Sequence, residues 1–303
     1  MLAAIKNLVA VTVARLVLRA SASLPLNWAR SASRGLGLIM VALNLRTVRI
    51  ARRNFEIAYP SLPAEERAQL IRQTLLAQGA LSAEMGHVWR RSHTYVQSLI
   101  SVTGGEHVDQ ALANGRGLVV LAPHLGNWEV LSHHLTSLGD LMCLFEPPKL
   151  PAIGNLVLAA RQRAGGEYVP TTGRGIAKLV RHCKAGGITG ILPDQVPDRD
   201  VGAMNVPFMG VDCSTASLAV SLIQRSGAGA VMGVAWRTDK GFEIQFCPVS
   251  DAVYSDDLES ALTAMNSDIE QLLRTDTTQY QWTYKRFRTT PRSLANHYLG
   301  TKG

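Results

Sequence analysis

Short apolar runs alternating with helical patterns constrain this chain more than any other feature. From residue 100 onward, runs at 117–122, 141–145, 166–170 and 188–192 have the length and the bounding residues of buried strands. Stretches at 128–138, 152–164 and 174–185 between them read as helices. This alternation predicts an α/β fold, an open, mostly parallel sheet flanked by helices. A helix at 215–226, a hairpin of 229–237 and 241–249 around Thr238-Asp239-Lys240, and a last helix at 257–274 follow. Residues 194–214 show no period and contain Pro197, Gly202, Pro207 and Gly210, which predicts a long loop at a strand end. Upstream, Pro63-Ala64-Glu65-Glu66 opens a long helix to about Trp89. The 303 residues, 47% of them hydrophobic, suit one large domain or a domain with an appendage, with ample material for a core. No repeat or interdomain linker is apparent.

The net charge of +8 is confined to one end. Residues 1–60 hold nine lysines and arginines against one acid, Glu56, and the remaining 22 bases and 22 acids cancel. Such an arm suits nucleic acid or an anionic membrane. Its neighbours favour the membrane: residues 8–20 are mostly Leu, Val and Ala, and 35–45 are almost all apolar or glycine. Thr12, Arg15 and Arg19 share one side of a helical wheel and leave a wide apolar face. Arg15 interrupts the run short of the roughly 18 apolar residues of a spanning helix. We therefore expect residues 1–55 to form a membrane-associated, amphipathic and hydrophobic helical arm, and 56–303 the main domain. The same pattern also fits an amphipathic helix packed on its own domain.

The chemistry-bearing motif is His124-Leu125-Gly126-Asn127-Trp128-Glu129, placed between a strand and a helix. Strand ends in α/β sheets are where ligands meet catalytic groups, and a histidine backed by a carboxylate is a general base of fixed tautomer. Five residues on a continuous helix would diverge by about 140°. Convergence requires His124 in the turn, Asn127 as helix cap and Glu129 in the first helical turn. A buried histidine followed by an acid favoured by the helix dipole gives the same letters. Asp194-Gln195 follows another strand and so falls on the same edge of the sheet.

Several mechanisms lack their motifs: no GxSxG elbow, no P-loop, no HExxH and no GxGxxG after the first strand. His133 and His134 are adjacent and point apart on a helix, which argues against a metal. Cys143, Cys183, Cys213 and Cys247 have no zinc spacing and read as small buried hydrophobes in a reducing compartment. A base without a protein nucleophile suggests that an activated substrate alcohol attacks an acyl group directly. The developing oxyanion then needs donors, for which Lys149, Arg161, Arg163 and Arg174 are the basic candidates after the motif.

The segment Leu121-Ala122-Pro123-His124-Leu125-Gly126-Asn127-Trp128-Glu129 resembles the signature of the bacterial lipid A late acyltransferases, a branch of the lysophospholipid acyltransferase superfamily. Leu192-Pro193-Asp194-Gln195, Val206-Pro207-Phe208-Met209-Gly210 and Gln279–Arg288 are similar to three further blocks of that family, in the same order. The likeness spans nearly the whole chain. It implies a membrane-bound enzyme that moves a fatty acyl chain from acyl carrier protein to a hydroxyl of a lipid A precursor, with no covalent acyl-enzyme, no cofactor and no metal. By it, His124 is the base and Glu129 orients it. Asn127, Arg161, Arg163, Asp194 and Gln195 are substrate-binding candidates, and Arg161 is the preferred contact for oxyanion or phosphate. Lys285, Arg286 and Arg288 are candidates for docking the acidic carrier protein. The fatty chain needs an apolar groove near the arm and residues 79–100. The expected setting is the cytoplasmic face of a bacterial inner membrane, with a monomeric protein and no nucleic-acid partner. Another glycolipid or a lysolipid as acceptor, or an inert membrane-associated binding protein of the same fold, fits the same residues.

Overall fold

The computed structural model describes residues 2–148, 151–197, 202–289 and 297–298, with backbone alone for 2–10 and 151–152. Four helices come first: α1 (Leu2–Ser23), α2 (Leu26–Ala42), α3 (Arg46–Ala58) and the long α4 (Ala64–Arg90), with Glu65 and Glu66 in the first turn of α4. Then follow α5 (His93–Gln97), β1 (Ile100–Thr103), α6 (Gly105–Leu112), β2 (Leu118–Leu121), α7 (Trp128–Leu138), β3 (Met142–Phe145), α8 (Pro151–Arg163), β4 (Glu167–Pro170), α9 (Gly173–Lys184) and β5 (Ile188–Ile191). The chain continues through β6 (Ala203–Phe208), β7 (Val211–Ala216), α10 (Leu218–Ser226), β8 (Gly229–Arg237), β9 (Phe242–Pro248) and α11 (Leu258–Leu273).

The main sheet has the order β1-β9-β8-β2-β5, parallel throughout except for the antiparallel β8–β9 hairpin. The sheet is therefore mixed. The parallel pair β3–β4 adjoins β5 through the Leu141–Ile188 bridge. All four side chains of β2 are fully buried. Leu118 and Val120 join Val130, Leu131 and Leu135 of α7 on one face, while Val119 and Leu121 join Leu179 of α9 and Ile223 of α10 on the other. Covering both faces explains why the strand reads as an unbroken apolar run.

The expected loop at 194–214 is corrected. Residues 203–216 form the antiparallel hairpin β6–β7, turning at Met209 and Gly210, both with positive φ (52° and 74°). Met209 in that region hid a turn that glycine or asparagine would have announced. The expected helix at 215–226 begins only at Leu218, because β7 occupies its first residues.

No helix of the described residues is long and apolar enough to cross a membrane. Helices α1 and α2 pack on α4 through small residues: a Cβ on Gly79 would lie 2.4 Å from the Ser33 carbonyl oxygen, and one on Gly86 would lie 2.7 Å from the Ser21 Cβ. Their outer faces expose Val13, Leu16, Val17, Trp28, Leu36 and Ile39. Arg30, counted above with the basic arm, points inward and is buried.

Candidate active site

Strands β2 and β5 are parallel neighbours paired Leu118–Ile188 through Leu121–Ile191, so the segments leaving them emerge side by side. One carries His124, the other Asp194. The His124 ring meets the buried Asp194 carboxylate, Nδ1 to Oδ1 at 2.8 Å, and the His124 backbone N–H donates to Oδ2 at 3.0 Å. The ring keeps 14% of its surface open, so it is not sealed in the core. Burial alone would raise the Asp194 carboxyl; the charge and the two hydrogen bonds of His124, with Arg286 nearby, hold it below its ordinary value.

The turn between strand and helix is pinned at each residue. The His124 carbonyl accepts from the Gln281 N–H at 3.0 Å, and Gly126 N–H donates to the Gln279 carbonyl at 3.1 Å. Gly126 has φ 63°, and a Cβ there would lie 2.1 Å from the Ala235 carbonyl oxygen, so only glycine fits against the end of β8. Asn127 caps α7, its Oδ1 accepting from Val130 N–H at 3.1 Å. Trp128 then stands edge-on to the His124 ring, centroids 4.9 Å apart.

Glu129 follows Trp128 in the first turn of α7. Its carboxylate accepts from the Trp89 indole N–H at 3.0 Å and pairs with Arg161 through Nε and Nη2. Burial would lower the Arg161 guanidinium, but the Glu129 charge overrides it and raises it. The expectation that Glu129 orients the His124 ring is therefore corrected. The Glu129 carboxylate is taken up by Trp89 and Arg161, and the carboxylate on Nδ1 comes instead from the segment after the neighbouring strand.

Between α4, α8 and the turn that follows His124 runs a groove of about 420 Å³, lined by Leu81, Met85, Trp89, Trp128, Phe145, Ile153 and Val157, with Glu129 and Arg161 at its edge. A smaller interior cavity of about 60 Å³ beyond them is lined by Leu131, Leu135, Leu144 and Gly190.

The other candidates divide. Gln195 Nε2 donates to Gln281 Oε1 at 2.9 Å beside the turn. Arg163 donates to the Trp89 carbonyl at 2.7 Å and stays outside the groove. Arg174 is exposed in the first turn of α9, and Lys149 lies outside the described residues. Arg286 as a docking residue is corrected: it is 1% exposed and spends its two terminal nitrogens on Cys213, Ser214, Thr215 and Asn266. Among the described residues no cluster of three metal-ligating side chains occurs, and the four cysteines are free, three of them buried.

The fold and the site define an α/β protein with a histidine–carboxylate pair at its strand ends, packed on a tryptophan that lines an apolar groove. The family model of bacterial lipid A biosynthesis acyltransferases matches residues 6–289, and the chain belongs to that family. It is 23% identical over 270 residues to the lipid A biosynthesis lauroyltransferase of Escherichia coli K12, covering 87% of this chain and 86% of that protein. It is 25% identical over 253 residues to the palmitoleoyltransferase of the same organism, covering 82% and 81%. A lipid A biosynthesis acyltransferase of Haemophilus influenzae is 27% identical over 282 residues, covering 88% and 86%.

Proposed function

We propose that this protein transfers a fatty acyl chain from acyl carrier protein to a hydroxyl of a lipid A precursor on the cytoplasmic face of the inner membrane. The observation that carries the reading is the His124–Asp194 pair, 2.8 Å apart, whose ring packs on Trp128, a wall of the apolar groove. With Nδ1–H donated to Asp194, Nε2 keeps its lone pair and takes the proton of the acceptor hydroxyl. The oxygen attacks the thioester carbonyl, and the tetrahedral intermediate expels the thiolate, which recovers the proton from the His124 imidazolium. No protein nucleophile and no cofactor or metal enters. Asp194 stabilises the imidazolium, as the third member of a triad does.

Glu129 and Arg161 act at the groove edge. The carboxylate fixes the guanidinium, and Arg161 offers positive charge to the developing oxyanion or to a glycolipid phosphate. Leu81, Met85, Ile153 and Val157 cover the acyl chain. The exposed apolar faces of α1 and α2, flanked by exposed Arg15, Arg19, Arg34, Arg46 and Arg52, rest on the bilayer. Lys285 and Arg288 are left as the C-terminal docking candidates for the carrier. The protein works as a monomer and without nucleic acid.

Mass spectrometry of lipid A from cells with and without the gene tests the reading. One acyl chain fewer in the deletion strain, restored by the wild type and not by His124→Ala, is expected. Unchanged lipid A would overturn it.

A further inference from the structure

Glu84 of α4 is fully buried and is the one acid in the small-residue-rich stretch Gly79-Ala80-Leu81-Ser82-Ala83-Glu84-Met85-Gly86. Its carboxylate receives four hydrogen-bond donors from three directions. Arg30 of α2 donates Nε to Oε1 at 2.7 Å. Arg237, at the end of β8, donates Nε to Oε1 and Nη2 to Oε2, the second at 2.9 Å. Asn127 donates Nδ2 to Oε2 at 2.9 Å, and the other end of the same amide caps α7.

The two arginines carry the connection outward. Arg30 spans the β8–β9 turn, giving Nη1 to the Thr238 carbonyl at 2.6 Å and Nη2 to that of Gly241 at 2.9 Å. Arg237 bonds Gln279, whose own carbonyl holds Gly126. Of the two residues that follow the His124–Leu125 step, Asn127 is thus tied to Glu84 directly and Gly126 through Gln279 and Arg237. Buried charges are costly unless paired, and this network pairs them where a plain apolar contact would have filled the space.

We propose that Glu84 is a positioning residue for the reaction: through Asn127 it sets the turn that carries His124, and through Arg30 it ties that turn to α2. The inference rests on acyl transfer at His124. An error of about 1 Å in a catalytic group costs about 100-fold in rate, so loss of this anchor should appear in kcat and not in donor affinity.

The test uses purified full-length protein in detergent, with an acyl-carrier-protein thioester and a lipid A precursor. Asn127→Ser keeps a helix-capping oxygen and leaves the Glu84–arginine cluster whole, so it should fold; it lacks only the donor to Glu84. We expect kcat to fall about 10- to 100-fold with an unchanged KM for the thioester, in a protein still fully folded at the assay temperature by circular dichroism. Glu84→Gln should lower kcat likewise, and added to Asn127→Ser it should lower kcat less than twofold further. Wild-type kcat in Asn127→Ser, or losses that multiply in the double variant, would overturn the proposal. His124→Ala run in parallel keeps the two questions apart: if it retains wild-type activity, the acyl-transfer mechanism fails, whatever Glu84 does.

Discussion

The catalytic turn and the outer faces of the first two helices are built to opposite rules. Between Ala122 and Glu129 the backbone turns sharply, yet Asn127 is fully buried with its amide engaged at both ends, and Glu129 and Asp194 are buried and paired. Along α1 and α2, by contrast, Trp28 is 71% exposed and Leu16, Leu36 and Ile39 are each more than half exposed. Chemistry needs groups fixed in place before the substrate arrives, whereas a lipid surface needs only apolar area and nearby positive charge. The two regions meet at Arg30, which sits on the exposed helix and ends inside the core.

Substitutions that press on one region and spare the other break or sharpen this contrast. The largest effect belongs to the turn. His124→Ala should lower acyl transfer by about 10²- to 10⁴-fold in a steady-state thioester assay, with no change in vesicle binding. A loss of vesicle binding in that variant would mean that the turn and the helices are not separate in function.

Next comes the groove edge. Glu129→Gln keeps an acceptor for the Trp89 indole but loses the ion pair with Arg161. We expect a fall of about tenfold in kcat/KM, the size of one charge-assisted hydrogen bond, and an unshifted pH–rate profile. A shifted profile would return Glu129 to the histidine.

On the helices, Trp28→Glu with Ile39→Glu should weaken binding to anionic phospholipid vesicles about tenfold or more and leave kcat on soluble substrates alone. Deleting residues 1–45 is the blunter experiment, because it also removes Arg30 from Glu84 and should impair the turn as well as the docking.

The smallest effect is one of pH on stability. His133 is buried and stacked on His93 with ring centroids 4.4 Å apart; burial, then the neighbouring histidines, push it down to about 4. A histidine whose folded value is depressed binds fewer protons folded than unfolded, so stability is full above its ordinary value of 6.5 and falls as pH drops toward about 4. Replacing His133 with Phe should flatten the slope of the unfolding midpoint over that window. An unchanged slope would show that the group charges freely in the native state.

Most of the frame was legible because strands covered on both faces are apolar without interruption, and β2, β3, β4 and β5 each lie within their expected ranges. The motif's helix cap was legible too, since Asn127 stands just before the start of α7. The partnership of His124 was not. Which carboxylate faces a ring at a strand end depends on which strand lies alongside, and Asp194, just past β5, lies 70 residues from His124 in sequence. Asp194 was singled out for its position on the sheet edge but assigned to substrate. Glu84 is nearly silent in the sequence. Its only signal was one acid in a run of small residues, and small residues are what let α2 approach closely enough to deliver Arg30. Arg286 misled in the other direction, because a basic residue in a basic cluster reads as surface until its partners in β7 are known.

The central claim is that Asp194, not Glu129, holds the His124 ring for proton transfer. The direct test is single-turnover acyl transfer by Asp194→Asn at saturating thioester, compared with Glu129→Gln under the same conditions. Asp194→Asn should lose about 10²-fold or more in rate and shift the acidic limb of the pH–rate profile, while Glu129→Gln keeps that limb in place. A wild-type rate and profile for Asp194→Asn would contradict the account.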